Sequence, residues 1–378
     1  MPKLGLGNKS SSASSMITPG IVTDSLVMRH NYNGNTVQKL SDGAVYFASG
    51  DTIVCSDSDD FTFTAGNAFS VGCWFNSPSI GTDHLIGKTN NTSASHANNE
   101  WYFHLASGGK LCLQCFDASE SAIIGRKYNT ALSSNTWYHG FATYDGGTAD
   151  SSIKIYLNGV RVDDSNQNAG SGFVSMDNTA TDLTFARTAN GSVNYTGYMC
   201  NAGIWSRELT QSEIKSIMFK QYADLTTSEK TDLVSWWNLD NNLTTQGSSS
   251  WVADEANTTF GSNITPTWTS SNGAVIDGQT ITLGSSGIVS AAATISPVGV
   301  YKVNVTVTGY TGDGVNDTIE MPWDGGGSSN MQITANGTYE FYEKSSDTGW
   351  LIYAADGRGA TITINSITKA NGNIGELL

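Results

Sequence analysis

Four sets of residues in this chain have types and spacings that could do chemistry. Asp57-Ser-Asp-Asp60 puts three carboxylates, Asp57, Asp59 and Asp60, into one polar turn. Calcium prefers hard oxygen ligands presented by a loop, so Ca²⁺ is the one cofactor the sequence suggests; the alternative is a solvated acidic turn. Gly312-Asp-Gly-Val-Asn-Asp317 is a second turn of the same kind. Cys112 and Cys115 have C-x-x-C spacing within Leu111-Cys-Leu-Gln-Cys-Phe, which reads as strand. Three apart on a strand, two side chains face opposite sides, so buried structural thiols are expected rather than zinc ligands or a redox pair. Glu340 and Glu343 come nearest to the paired acids of a glycosidase, and the same geometry sends them to opposite faces. Finally, aromatic rings beside amides or acids can stack on sugars. Trp101 and Tyr102 follow an Asn-rich loop, and Trp323 adjoins Asp324 and three glycines.

The remaining chemistry is thin. His30, His84, His96, His104 and His139 show no metal-ligand spacing, and His139 sits within an alternating strand pattern. No G-x-S-x-G lies between a strand and a helix, and Gly5-Leu-Gly7 lacks the other glycines of a phosphate loop. No catalytic residue is therefore expected.

The elements that must position these residues are strands. The 378 residues include ten Trp, fifteen Tyr, thirteen Phe and forty-one Gly, which suits large-residue sandwich cores joined by many turns. A net charge of −15 offers no basic stripe for nucleic acid and disfavours acidic polysaccharides, leaving neutral glycans open. Five cysteines leave at least one thiol unpaired, which favours assembly in a reducing cytoplasm. No signal-like or membrane-spanning apolar run is evident, so a soluble protein is expected.

Three regions are expected. Residues 1–38 form a polar, Ser-rich arm suited to attachment or subunit packing. Residues 39–245 hold dense strand signals. Phe69-Ser-Val-Gly-Cys-Trp-Phe alternates, with Phe69, Val71, Cys73 and Phe75 on one face. Ile153-Lys-Ile-Tyr-Leu-Asn-Gly-Val-Arg-Val predicts a hairpin closed by Asn158-Gly159, pairing Leu157 with Val160 and putting the apolar residues on one face. Thr210-Gln-Ser-Glu213 and Thr226-Thr-Ser-Glu229 have capping-box spacing and predict two short helices. Residues 244–251 read as linker. Residues 246–378 then form a smaller β-sandwich around Val303, Val305 and Val307.

Read in order, several of these segments resemble the laminin-G-like, concanavalin-A-like jelly rolls. They are Gly43-Ala-Val-Tyr-Phe, the Phe69 strand, Trp137-Tyr-His-Gly-Phe-Ala-Thr-Tyr-Asp, Lys154-Ile-Tyr-Leu-Asn-Gly-Val and Gly203-Ile-Trp-Ser-Arg-Glu-Leu-Thr-Gln-Ser-Glu-Ile. The resemblance implies an all-β fold: a jelly roll with two short helices, a second sandwich and an N-terminal arm. It leaves function open, because such folds host lectins, adhesins and enzymes. Related glucanases carry an E-x-D-x-E strand that this sequence lacks, and some relatives hold calcium at the sandwich rim. The last region resembles, more loosely, carbohydrate-binding-module sandwiches, and the whole arrangement looks like virion structural proteins of tailed bacteriophages.

The expectation is a non-catalytic virion protein, a capsid decoration or fibre. Its partners would be other virion proteins and host-surface glycans, and it would form a homo-oligomer, with a trimer favoured. A tail receptor-binding protein is the alternative, and a secreted polysaccharide-degrading enzyme stands further off.

Overall fold

The computed structural model describes residues 29–30, 37–38, 43–64, 66–90, 97–240, 244–246, 249–257, 259–271, 274–284, 289–295, 299–312, 319–323, 331–345, 349–354 and 359–377. Of the arm expected over residues 1–38, only the antiparallel pair Arg29–His30 and Val37–Gln38 falls inside this set. The rest of it lies outside the described residues.

Strand after strand, alternation decides which side chains go inward. In Phe69–Asn76, the side chains of Phe69, Val71, Cys73 and Phe75 are fully buried. This strand lies between Tyr138–Tyr144 and Gly197–Trp205 in an antiparallel sheet of seven. Gly72 faces Phe141 there, and a Cβ at Gly72 would stand 2.0 Å from that ring, so glycine is what lets the ring lie flat. A second sheet runs through Ala122–Lys127, Lys110–Asp117, Asn99–Ala106, Asp83–Thr89, Leu183–Phe185 and Ile53–Cys55. Its inner face supplies Trp101, Phe103, Leu105, Leu111, Leu113 and Cys115 to the same core. The two sheets therefore close one aromatic-rich sandwich.

The predicted hairpin forms in the predicted register, Leu157 opposite Val160, with Asn158 at φ 49° and Gly159 at φ 75°. One detail differs: Val160 is 53% exposed, because the return strand is only two residues long and its tip projects past the core. The tip is still tied down, since Asn158 accepts from the His139 backbone N–H through Oδ1 at 2.9 Å.

One helix, Gln211–Ile217, forms with its full capping box. It covers the outer face of the seven-stranded sheet, where Ile214 and Ile217 pack with Phe141, Tyr156, Trp205 and Trp236. The second expected helix is a single turn. Thr226 and Glu229 make the reciprocal capping contacts, and Lys230 N–H reaches Thr226 O. Asp232, at φ 57°, then turns the chain into the strand Leu233–Trp237 before a second turn can follow. Among the described residues, no helix is long and apolar enough to cross a membrane.

The C-terminal sandwich is built around Val303, Val305, Val307, Phe341, Ile352 and Ile362, as the alternation predicted for its valines. Its boundary with the first domain is not the one the sequence suggested. Thr244–Gln246 and Ser249–Val252, expected as linker, pair as strands, and Ser249–Val252 pairs with the C-terminal strand Gly375–Leu377. That strand in turn pairs with Ile53–Cys55 of the jelly roll, extending the second sheet to ten strands. The smaller sandwich is thus inserted between two strands of the larger one's sheet. Local sequence could not reveal this, because the pairing spans the whole inserted domain.

Asp254 and Asn373 fasten the two ends of the insertion. Asp254 accepts from the backbone N–H groups of Trp236, Ala256 and Asn373 and from the Ser235 hydroxyl. Asn373 O accepts from Trp237 Nε1 at 3.0 Å. Burial pushes the Asp254 carboxyl up to about 6 while the four donors pull the other way. Replacing Asp254 with Ala leaves those buried donors without an acceptor, a loss of about 3 kcal/mol or more in urea unfolding.

Three histidines are buried neutral. Burial lowers His84 to about 4 and His139 to about 3; burial, helped by neighbouring His84, lowers His104 to about 3. Below pH 6.5 the unfolded chain takes up protons that the folded domain refuses until pH 3–4. Stability is therefore complete above pH 6.5 and falls as the pH drops towards 4, by up to ~3 kcal/mol per histidine. The carboxyls of Asp254, Asp83, Glu100 and Glu255, which burial raises, oppose part of this. Urea midpoints at pH 7.5 and pH 5 should show the loss, and His139→Phe should reduce it.

Candidate functional site

The helix and its following turn cover only part of the outer face of the seven-stranded sheet. Trp74 points outward beneath them, donating from Nε1 to Met218 O at 2.6 Å and lying 5.7 Å from the Phe219 ring. One residue pair beyond that cover, the next outward row is partly open, with Tyr46 and Tyr198 exposed and Asn76 and Trp137 half-buried. Alternation places Asn76 outward on its strand, with Tyr198 directly opposite and Tyr46 opposite Tyr198. Trp137, one residue before the strand Tyr138–Tyr144, continues the outward set of His139 and Phe141 and stands near Tyr198. The row reads Trp137, Asn76, Tyr198, Tyr46.

Tyr46 and Tyr198 are 47% and 44% exposed, which is unusual for side chains of this size in a structure whose other rings are mostly buried. Their centroids stand 4.8 Å apart at 57°, and Tyr198 lies 6.2 Å from Trp137 at 40°. Three tilted rings, with Asn76 paired opposite Tyr198 on the neighbouring strand, make a shallow platform with apolar faces and polar edges. Such surfaces suit ligands that are themselves apolar on one face and hydroxylated at the rim.

Sequence reasoning chose other aromatics, and the structure corrects it. Trp101 is fully buried, donating from Nε1 to Phe61 O at 2.8 Å and packing 5.3 Å from Phe69. A ring in that position has no face to offer a ligand. Tyr102 points to the outer side of the second sheet but is only 1% exposed, stacked 3.8 Å from His104 and 5.2 Å from His84. Burial drives the Tyr102 phenol upward and keeps both histidines neutral. Trp323 ends the strand Ile319–Trp323; its side chain, and Asp324, lie outside the described residues. Tyr46 and Tyr198 carried one sequence signal that was not used. Each alternates outward from a strand whose flanking residues are apolar, Val45 and Phe47 in one case and Met199 in the other.

The three carboxylates of the acidic turn go to different partners. Lys88 Nζ sits 2.7 Å from Asp57 Oδ1. Asp59 accepts from Asn178, and Asp60 from Asn373. Among the described residues, no three His, Cys, Asp or Glu side chains are grouped to hold a metal ion. The second acidic turn, Asp313 to Asp317, lies outside them.

Cys112 and Cys115 do face opposite sides of their strand, Cys115 into the main core. All five cysteines are buried and form no disulfide. Glu340 and Glu343 also point to opposite faces: Glu340 is exposed and pairs with Lys302 at 2.7 Å, while Glu343 is buried.

Residues 48–215 match the family model of the concanavalin A-like lectin/glucanases superfamily. The matched stretch holds Asn76, Trp137 and Tyr198, and Tyr46 lies just before it. No curated protein matches the chain. Among solved structures, it is similar to a candidate carbohydrate binding protein from Bacteroides ovatus, at 16% identity and TM-score 0.41 over 56% of this chain. It covers 55% of that protein's length. It is also similar to the CBM40 of the Ruminococcus gnavus IT-sialidase bound to alpha2,3 sialyllactose (10% identity, TM-score 0.35, 46% of this chain and 95% of that one). The binding domain of botulinum neurotoxin serotype G aligns over 88% of this chain and 91% of its own, at 13% identity and TM-score 0.33.

Platform and core rings should respond differently to truncation. Tyr198→Ala should change unfolding stability by less than about 1 kcal/mol. Tyr102→Ala should cost about 3 kcal/mol or more, because it opens a cavity among packed rings. Paired urea melts check both.

Proposed function

We propose that this protein is a non-catalytic glycan-binding protein that engages neutral sugars on the Trp137–Asn76–Tyr198–Tyr46 platform. The carrying observation is that two large aromatic rings stand nearly half exposed beside an outward amide, on a rigid sheet. Sheet positions hold rings in place before a ligand arrives, so little ordering entropy opposes contact. An acidic chain favours neutral over anionic sugars.

The non-catalytic reading rests on where the acids go. Glu208, Glu213 and Glu229 are paired with Lys154, Arg207 and Lys220, and Glu340 with Lys302. The proposal includes the setting suggested by the architecture: a bacteriophage particle, with the chain present as a homo-oligomer, in capsid decoration or as a tail receptor-binding protein. Single platforms of this size bind weakly, and many copies on one particle convert weak contacts into firm adhesion.

A neutral-glycan array probed with the whole chain tests the reading. Binding to at least one glycan class is expected. The Tyr46→Ala, Tyr198→Ala double variant should lose roughly tenfold per ring, the equivalent of ~1.4 kcal/mol each. Binding that survives the double variant would place the site elsewhere. Mass spectrometry of purified particles tests the setting: tens of copies or more fit decoration, a handful fits a tail, and absence removes the chain from the virion.

A further inference from the structure

Among the described residues, Lys88 is the one lysine or arginine that is fully buried. It lies on the Asp83–Thr89 strand with its side chain 0% exposed. Its Nζ contacts three oxygens: Asp57 Oδ1 at 2.7 Å, Glu100 Oε1 at 3.0 Å and Thr62 Oγ1 at 3.0 Å. Glu100 is also 0% exposed, and a register shift between Lys88 and Thr89 turns its side chain to the same side as the amine. A buried amine between two carboxylates is costly as a set of ions, because their desolvation is incompletely returned by their attraction.

We propose that Lys88 and Asp57 form an intramolecular isopeptide bond, with Glu100 as the proton carrier. The two acids are equipped differently, and that assigns the roles. Glu100 Oε1 also accepts from the Thr179 backbone N–H at 2.8 Å and its hydroxyl at 3.0 Å, and Oε2 accepts from Thr62 Oγ1 at 2.9 Å. Those donors fix Glu100 in place beside the amine, and full burial leaves no route for a departing water. Asp57 is closer to the amine and 37% exposed. Among the described residues, Lys88 is the one group that hydrogen-bonds its carboxylate. It is the acid from which water can leave.

The step balances without an oxidant or a co-reactant. One proton passes from the Lys88 ammonium to the Asp57 carboxylate, giving a neutral amine beside a neutral acid. The nitrogen lone pair attacks Asp57 Cγ. Glu100 takes a second proton from the nitrogen and returns it to the leaving hydroxyl. The C–N bond forms, the C–O bond breaks, and one water departs through the open side of Asp57. The remaining proton stays on the new amide, and Glu100 ends as it began. The bond would close a loop between positions 57 and 88, limiting the unfolded chain as a disulfide does, in a protein whose cysteines form none.

Trypsin and mass spectrometry on the full, purified chain decide the matter. No Lys or Arg lies between Lys39 and Lys88, or between Lys88 and Lys110. An isopeptide blocks cleavage at Lys88, so residues 40–110 should appear as one peptide lighter than its sequence by one water. Separate peptides 40–88 and 89–110 at full mass overturn the proposal. So does a water loss with Lys88 still cleaved, which marks dehydration of an acid without a cross-link. Lys88→Arg and Glu100→Gln should both give chains of full sequence mass, the second with normal cleavage at Lys88. A Glu100→Gln chain that folds by circular dichroism and still carries the cross-link removes Glu100 from its role.

Discussion

Two sheets laid face to face must each present one apolar side to the other, and in this protein that side is crowded with rings. Phe69, Phe75, Trp101, Phe103, Phe185 and Trp237 all lie within a single core. Because side chains alternate strictly along a strand, every inward aromatic fixes its neighbours as outward. The outer surface is thus a consequence of the inner packing. Tyr198 is outward because Met199 is inward, and Tyr46 is outward because Val45 and Phe47 are not.

Several of the polar groups caught inside this arrangement are closely compensated. Asp254 meets four donors, Glu100 meets Lys88 and two threonines, and Trp101 and Trp205 each reach a backbone carbonyl. The histidines take a different course and stay neutral. A buried network with every member satisfied holds one arrangement and penalises others. The Asp254–Asn373 fastening is the clearest case, since it joins residues that border an entire inserted domain.

The insertion bears on function as well as on folding. Both ends of the smaller sandwich enter through adjacent strands of one sheet, Ser249–Val252 and Gly375–Leu377. Two covalent connections hold a domain more firmly than a single linker. Trp251, Ala370 and Ile374 pack at that junction with Tyr342, Val300 and Phe260 beside them.

Much of this was legible in the sequence, and the reason is local. Alternation gave the inward faces of the Phe69 and Val303 strands, Asn158-Gly159 gave the hairpin register, and Thr210 with Glu213 gave the helix start. These depend on residues within a few positions of one another, so a linear pattern carries them. The acidic turn, the aromatic platform and the domain boundary did not yield to such reading. Asp57 meets Lys88, and Tyr46 meets Tyr198 across 152 positions (198 − 46), only after the strands have paired. The C-terminal strand joins Ile53–Cys55 across most of the chain. Sequence by itself determined most strands of the two sandwiches and which of their faces would be apolar, but not that Thr244–Gln246 and Ser249–Val252 would be strands. Tertiary structure alone decided which outward residues stay uncovered and which charges share a pocket, because both depend on contacts between distant segments.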